Sequence, residues 1–372
     1  MQQTENDDNI RVGLVGPLPP PFGGIANQTR QLARLLRTEG LSVEVVQMNA
    51  PYKPAFVGRF RGVRAIFRLA PYLRALWKMT RRVQVIHLMS NSGWSWHLFS
   101  SPAILIASLL RVPVVVNYRG GEAPAFMRTQ ARWIMPVMKK AAVLAVPSSF
   151  LAELFSQYGL LPRIVPNIVD LSRFDLKGID KSPVGDVPRL IVTRNLEAIY
   201  DITTAIRAFA LVRKVWPGAE LAIAGSGPER SALEAEAAAL GLEGSVRFLG
   251  RLEVEEVARL YMSAHIMLNP STVDNTPNSV LEAWASGVAV VSTSAGGVPY
   301  LVRDGEDAIL VPPQDPEAMA QAVLNLLSDR TLYKHLVATG RTSAKRFTWS
   351  EVRPLWLKVY KELVNKSSNS NG

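Results

Sequence analysis

Asp274 and Glu282 stand eight positions apart in residues 270–287, PSTVDNTPNSVLEAWASG. Two apolar runs, residues 266–268 and 288–291, bracket that stretch and read as strands. Between them the chain reads as a polar loop and then a short helix. Asn and Ser cap helices well and Pro277 suits a first turn, so the helix is expected to open near Asn278. A helix that opens beyond the carboxyl end of a strand aims free backbone N–H groups into a crevice. Such an end seats a phosphate or diphosphate. Carboxylates beside that anion would repel it, so Asp274 and Glu282 are read as acceptors for hydroxyl groups. An anion seat flanked by hydroxyl-binding carboxylates describes a sugar-nucleotide site. The plainer reading of such a pair is a solvated helix face.

The elements that must hold these side chains follow from the apolar periodicity. Residues 11–15 read as a buried strand, a glycine-bearing loop follows, and a helix covers residues 25–38. The loop lacks the three spaced glycines of the dinucleotide fingerprint, which counts against NAD. Strands are expected at 41–48, 83–89, 114–117 and 142–146, with a helix at 96–110 and another opened by residues 147–150. Residues 170–188 are polar and rich in Pro and Gly and read as a linker. Beyond it, strands at 189–193, 220–224 and 245–250 alternate with helices, and residues 349–363 form a last helix. His87 and His97 read as satisfied structural residues.

Length and composition narrow the class. The chain has 372 residues, enough for two domains with separate cores, and 48% of them are apolar, which excludes a disordered chain. There is no Cys, hence no disulfide, thiolate metal site or Cys nucleophile. The polar, acidic residues 1–9 do not read as a signal peptide, and the longest apolar run, residues 102–110, is too short to span a bilayer. The net charge of +11 is uneven: residues 1–166 hold 20 Lys and Arg against 7 Asp and Glu, and residues 167–372 hold 22 against 24. The first half is therefore expected to meet an anionic partner. Residues 51–82 carry nine cations and no acid, with Phe60, Phe67 and Trp77 interleaved. Pro71 is expected to kink or end the helix that runs through them. A basic amphipathic helix with aromatics reads as a membrane-surface element, and Arg61, Arg64, Arg68, Arg74 and Trp77 are its membrane or acceptor candidates. A solvated face over a core stripe is the plainer alternative. No nucleic-acid-binding motif accompanies the charge.

The carboxylate pair, the Pro270-Ser271 before it and the Gly296-Gly297-Val298-Pro299 after it resemble the donor-sugar motif of family 4 glycosyltransferases, retaining enzymes of the GT-B class. The family pairs two Glu; here Asp274 is one methylene shorter. The resemblance spans roughly residues 11–365 and is most specific in the second half. It implies an α/β fold of GT-B type: two doubly wound, Rossmann-like domains facing a central cleft. Residues 1–168 would form the acceptor-side domain, 169–350 the donor domain, and 351–372 a helix crossing back.

The resemblance also implies roles. Gly23 and Gly24 would let backbone approach the donor phosphates. Arg194 matches the family's phosphate-binding Arg; Tyr200 stands where a Lys is usual, and Arg119 near the place of a sugar-contacting His. Gly225 would admit the nucleotide. Asn275, Thr276, Asn278 and Ser279 would line the donor site, with Arg194, Asp274 and Glu282 carrying the chemistry. The implied reaction moves a sugar from a nucleoside-diphosphate sugar to a glycan or polyprenyl-linked acceptor with retention. The implied setting is surface polysaccharide or glycolipid synthesis, in the cytoplasm or peripherally on the inner face of the cytoplasmic membrane. No metal and no cofactor beyond the sugar-nucleotide co-substrate is implied. An epimerase of the same fold, or a non-catalytic module binding sugar nucleotide or membrane, stays open at this point.

Overall fold

The computed structural model describes residues 10–20, 23–51, 64–174 and 187–369. The chain forms two compact units: one takes the described residues up to Pro166 and those from Val352 on, the other Asn167–Glu351.

The first unit holds strands β1 (Arg11–Gly16), β2 (Ser42–Gln47), β3 (Val85–Ser90), β4 (Val114–Tyr118), β5 (Val143–Val146) and β6 (Arg163–Ile164). They form one parallel sheet in the order β2-β1-β3-β4-β5-β6. Helices α1 (Gly24–Thr38), α2 (Arg64–Thr80), α3 (Ser101–Leu109), α4 (Ala123–Met138) and α5 (Ser149–Ser156) connect them. The strands β3 and β4 are buried at every position, as expected of parallel strands covered on both faces.

The second unit holds β7 (Arg189–Thr193), β8 (Glu220–Ala224), β9 (Val246–Gly250), β10 (Ile266–Asn269), β11 (Ala289–Thr293) and β12 (Ile309–Val311). This sheet is also parallel, in the order β12-β11-β10-β7-β8-β9. Its helices are α6 (Ile202–Val215), α7 (Arg230–Ala239), α8 (Val254–Ser263), α9 (Asn278–Ala285), α10 (Val298–Leu301), α11 (Pro316–Ser328) and α12 (Arg330–Ala344). The last helix, α13 (Trp349–Asn369), rejoins the first unit from Val352. The order reverses at β7–β10, so the loops after these two strands flank a topological switch point, where doubly wound sheets bind ligands.

Of the two outcomes expected at Pro71, a kink or an end, α2 does not take the second: it runs on to Thr80. Buried Tyr72, Leu76 and Met79 anchor the stretch beyond the proline, and that packing outweighs one missing backbone hydrogen bond. The helix expected at 96–110 opens instead with a wide π-turn, Trp96–Ser100, before α3. Trp96 is fully buried against the Tyr118 ring, and the wider turn seats it. Of the basic run, Arg61 and Phe60 lie outside the described residues, as does the side chain of Arg64. Arg74 and Trp77 are exposed, whereas Arg68 is half-buried.

Candidate functional site

In the second unit the carboxyl ends of β7 and β10 bring the expected side chains together. Arg194 is the first residue after β7, and its Nη2 pairs with the Asp274 carboxylate. Both side chains are about nine-tenths buried, at 11% exposure each. Asp274 also accepts from the Asn275 N–H at 2.9 Å through its other oxygen. The Arg194 Nη1 reaches the Ser279 hydroxyl at 3.5 Å, on the first turn of α9. The Tyr200 ring lies 4.1 Å from the guanidinium carbon, within cation–π range. Tyr200 closes a short turn tied to the β10 loop, where the Thr272 N–H donates to the Ile199 carbonyl at 2.9 Å.

Glycines set the two loops against their neighbours. A Cβ on Gly225, after β8, would lie 1.9 Å from the Arg194 carbonyl oxygen, and one on Gly227 2.2 Å from that of Leu196. Gly225 thus admits the β7 loop, a packing reason for its small size beside the one expected from the sequence. Likewise Gly296, with φ +56°, would place a Cβ 2.2 Å from the Asp274 carbonyl, and the Gly297 N–H donates to that same oxygen at 2.9 Å. Backbone packing on both sides therefore fixes where Arg194 and Asp274 start.

The helix α9 opens at Asn278, but with Pro277 as its cap and no side-chain capping bond. The Asn278 carboxamide oxygen instead accepts from Asn167 at 2.8 Å, and the same Asn167 nitrogen donates to the Thr276 carbonyl at 3.2 Å. Nothing in the sequence marks Asn167 for this tether beyond its place after Pro166. Two polar groups at this end are enclosed without a partner among the described residues: the Thr276 hydroxyl and the Arg194 Nε. Buried donors of this kind normally have partners, so a ligand with acceptor oxygens is their natural complement.

Glu282 lies one turn into α9, half-buried as a residue and enclosed at its carboxyl end. Burial raises its carboxyl to about 7, opposed by a hydrogen bond from Tyr261 and by the charges of Arg173 and Arg194. Tyr261, fully buried on α8, meets the Thr193 hydroxyl at 2.5 Å, and its single proton is shared between Glu282 and the Ser279 carbonyl at 3.0 Å. It is a central member of the cluster, and no sequence motif pointed to it.

The first unit carries its own set of polar groups at strand ends. Gly23 caps α1 and Gly24 begins it; a Cβ on Gly23 would touch nothing among the described residues. Arg119 directly follows β4 and donates from Nε to the Asn117 oxygen at 3.0 Å. Asn117 donates in turn to His87 Nε2 at 2.9 Å, which leaves Nδ1 to donate to the Tyr360 hydroxyl at 2.7 Å. His87, Asn117 and Tyr360 are fully buried, and burial lowers the His87 ring to about 3, so the imidazole stays neutral. His87 is the satisfied core residue that the sequence suggested. The file of bonds runs from α13 to Arg119 and fixes its guanidinium at the strand end.

The comparisons with known proteins agree with this architecture. The family described as Glycosyltransferase Family 4 matches residues 22–173, and the one described as Glycosyl transferases group 1 matches residues 187–329. Phosphatidyl-myo-inositol mannosyltransferase of Mycobacterium tuberculosis H37Rv is 26% identical over 96% of this chain and 98% of its own. D-inositol 3-phosphate glycosyltransferase of Corynebacterium urealyticum is 35% identical, over 37% of this chain and 33% of its own. Among solved structures, sucrose-phosphate synthase from Thermosynechococcus elongatus covers 96% of this chain and 100% of its own, with a TM-score of 0.76 at 19% identity. Anabaena HepE in complex with UDP and glucose covers 95% and 99%, with a TM-score of 0.73 at 16% identity. Two parallel doubly wound units and family matches over both halves make this chain a member of the family 4 glycosyltransferases, with the GT-B fold.

Proposed function

We propose that this glycosyltransferase moves a hexose from a nucleoside-diphosphate sugar to a lipid-linked or glycan acceptor, with retention, in surface polysaccharide or glycolipid synthesis. The observation that carries the donor assignment is the pair of enclosed, unpartnered donors at the start of α9, the Thr276 hydroxyl and the Arg194 Nε. With the α9 backbone N–H groups they complement the diphosphate oxygens, and they strengthen as charge develops on the leaving group. Glu282 accepts from the ribose hydroxyls. Asp274 holds Arg194 in place and offers its remaining lone pairs to the sugar. Both Asp274 oxygens are already engaged, which argues against attack by this carboxylate. The leaving phosphate is then the base that takes the acceptor proton, on the face from which the acceptor attacks. The reaction calls on no cofactor or metal beyond the sugar nucleotide.

The name of the mycobacterial relative, phosphatidyl-myo-inositol mannosyltransferase, supports a hexose donor and a lipid acceptor. A lipid tail holds the acceptor at a bilayer, so the enzyme works peripherally, on the inner face of the cytoplasmic membrane. Among the described residues no helix is long and apolar enough to cross one.

A panel of nucleoside-diphosphate sugars screened for thermal stabilisation identifies the donor. The stabilising donor, incubated with a lipid extract, should yield a glycosylated lipid whose anomeric coupling by NMR matches that of the donor. Inverted coupling would sink retention. A sugar altered and released without any acceptor would replace transfer with epimerisation.

A further inference from the structure

We propose that Tyr261 is a positioning residue of the donor site: its hydroxyl aims the Glu282 carboxylate and keeps it in the acceptor form that a ribose diol needs. It acts through Glu282 and not on the reacting atoms.

Three elements meet at this one hydroxyl. Tyr261 is fully buried on α8 and reaches both Thr193, the last residue of β7, and the first turn of α9. Thr193 directly precedes Arg194, and Glu282 lies three residues beyond Ser279. The phenol has a single proton, and two acceptors compete for it, the Glu282 carboxylate and the Ser279 carbonyl at 3.0 Å. The Thr193 hydroxyl, 2.5 Å away, is therefore the donor in the third contact, with the phenol oxygen as its acceptor. The Ser279 carbonyl does not need the tyrosine, since a carbonyl at that place in a helix accepts from the N–H four residues on. The carboxylate does need it, because an enclosed carboxylate without donors takes up a proton.

The rest of the seat serves the same end. The Tyr261 ring meets the Phe174 ring edge-on, with centroids 6.1 Å apart. Phe174 follows the short turn Leu171–Arg173, and Arg173 is one of the two cations that act on Glu282, Arg194 being the other. Both cations and the phenol favour the ionised carboxyl, and burial opposes them. The phenol brings no charge of its own. Burial, and after it the Glu282 charge, push its proton loss well above the ordinary tyrosine range, so it remains a donor at every working pH.

The consequence for donor binding rests on the ribose contact of Glu282 proposed above. The positioning does not, because the carboxyl is titrated without ligand. The test is infrared titration of the full-length protein from about pH 5 to about pH 9, following the band of the protonated carboxyl that Glu282→Gln removes. Its midpoint should lie near 7 in the unmodified protein. It should rise by about one unit in Tyr261→Phe, which keeps the ring and deletes the hydroxyl. Thr193→Val should move it the same way by less, and add nothing in the Tyr261→Phe background, since its effect passes through the phenol. Calorimetry with uridine and guanosine diphosphate, which share the ribose, reads the consequence. At about pH 7 Tyr261→Phe should bind about fivefold more weakly, with the gap closing towards about pH 9. A midpoint that both variants leave in place overturns the proposal, and should Tyr261→Phe fail to fold, an unmoved midpoint in Thr193→Val suffices. A loss of affinity of one size at every pH also overturns it, being the mark of a merely structural tyrosine. A midpoint that moves as expected while affinity ignores it would strike the ribose reading and leave this one standing.

Discussion

Donor binding should depend on pH through Glu282. In the free protein burial lifts this carboxyl to about 7, held back by the Tyr261 hydrogen bond and by Arg173 and Arg194. Only the ionised form offers both oxygens to a ribose diol. With a midpoint near 7, about nine-tenths of the free protein is ionised at about pH 8 and about one-tenth at about pH 6. The apparent dissociation constant should then rise about tenfold from the higher pH to the lower, or about 1.4 kcal/mol. The stability effect has the opposite sense. The folded-state value lies above the ordinary 4.5, so the folded protein holds this proton more tightly than the unfolded chain. That contribution is fully present below about pH 4.5 and is lost as pH rises through about 7, amounting to at most about 3 kcal/mol for a half-buried residue. Glu282→Gln should therefore melt higher than the unmodified protein at about pH 8 while binding donor more weakly. Calorimetry with a nucleoside diphosphate at about pH 6, 7 and 8 reads the effect. The variant serves as the control for the ligand's own terminal phosphate, which titrates near 6. Equal pH slopes in the two proteins would refute the assignment of Glu282 to the ribose.

Three further outcomes are expected. Arg194→Ala should lower turnover by on the order of 10²-fold with a smaller effect on donor KM, because the charge it meets grows in the transition state; unchanged turnover in a steady-state assay would remove it from the site. Asp274→Asn keeps one acceptor but removes the charge facing Arg194. Sugar nucleotide should lose roughly tenfold in affinity while free nucleoside diphosphate binds at least as well, and equal losses by calorimetry would deny Asp274 a sugar contact. Gly296→Ala must displace the Asp274 carbonyl and adopt a positive φ, so it should lower the urea midpoint by the equivalent of about 1–2 kcal/mol and weaken donor binding together with it; a stable variant with normal binding would show that the two loops are not coupled.

Much of this fold was legible because parallel strands buried on both faces read as short apolar runs. Residues 189–193 and 220–224 were bounded correctly, since a polar or glycine-bearing loop follows each directly. The cluster after β7 and β10 was legible as a set of neighbours where chemistry and spacing coincide, at Arg194, Asp274, Glu282 and Ser279. What the sequence hid were contacts made across long separations. Tyr261 reaches Ser279 and Glu282 from another helix, and a tyrosine in an amphipathic helix reads as core. Asn167 tethers residues 109 and 111 positions away. The tight packing of the glycines at 225 and 296 was hidden because a sequence cannot say which chain segment fills the space beside a missing Cβ. Pro71 left a kink and an end both open, and burial on its far side, a tertiary property, decided against the end.

The tyrosine at position 200 gives the site its particular electrostatics. A lysine in its place would put a second cation about 4 Å from the Arg194 guanidinium, at a repulsion of about 4 kcal/mol for an effective dielectric of 20. The ring presents its electron-rich face to the guanidinium instead and fixes its plane without adding charge. Arg194 is meanwhile balanced by Asp274, and Glu282 is only partly ionised near neutral pH. Counting Arg173 as well, the cluster carries only a small positive charge. On the proposed reading, much of the attraction for a diphosphate would come from oriented groups: the first turn of α9, the Thr276 hydroxyl and the Arg194 Nε–H. Dipoles held by backbone packing do not reorganise when charge develops, and screening ions cannot displace them as they do a solvated lysine. On the proposed reading, a site built this way would give up some long-range pull on the donor and keep its stabilisation for the charge that appears as the glycosidic bond breaks.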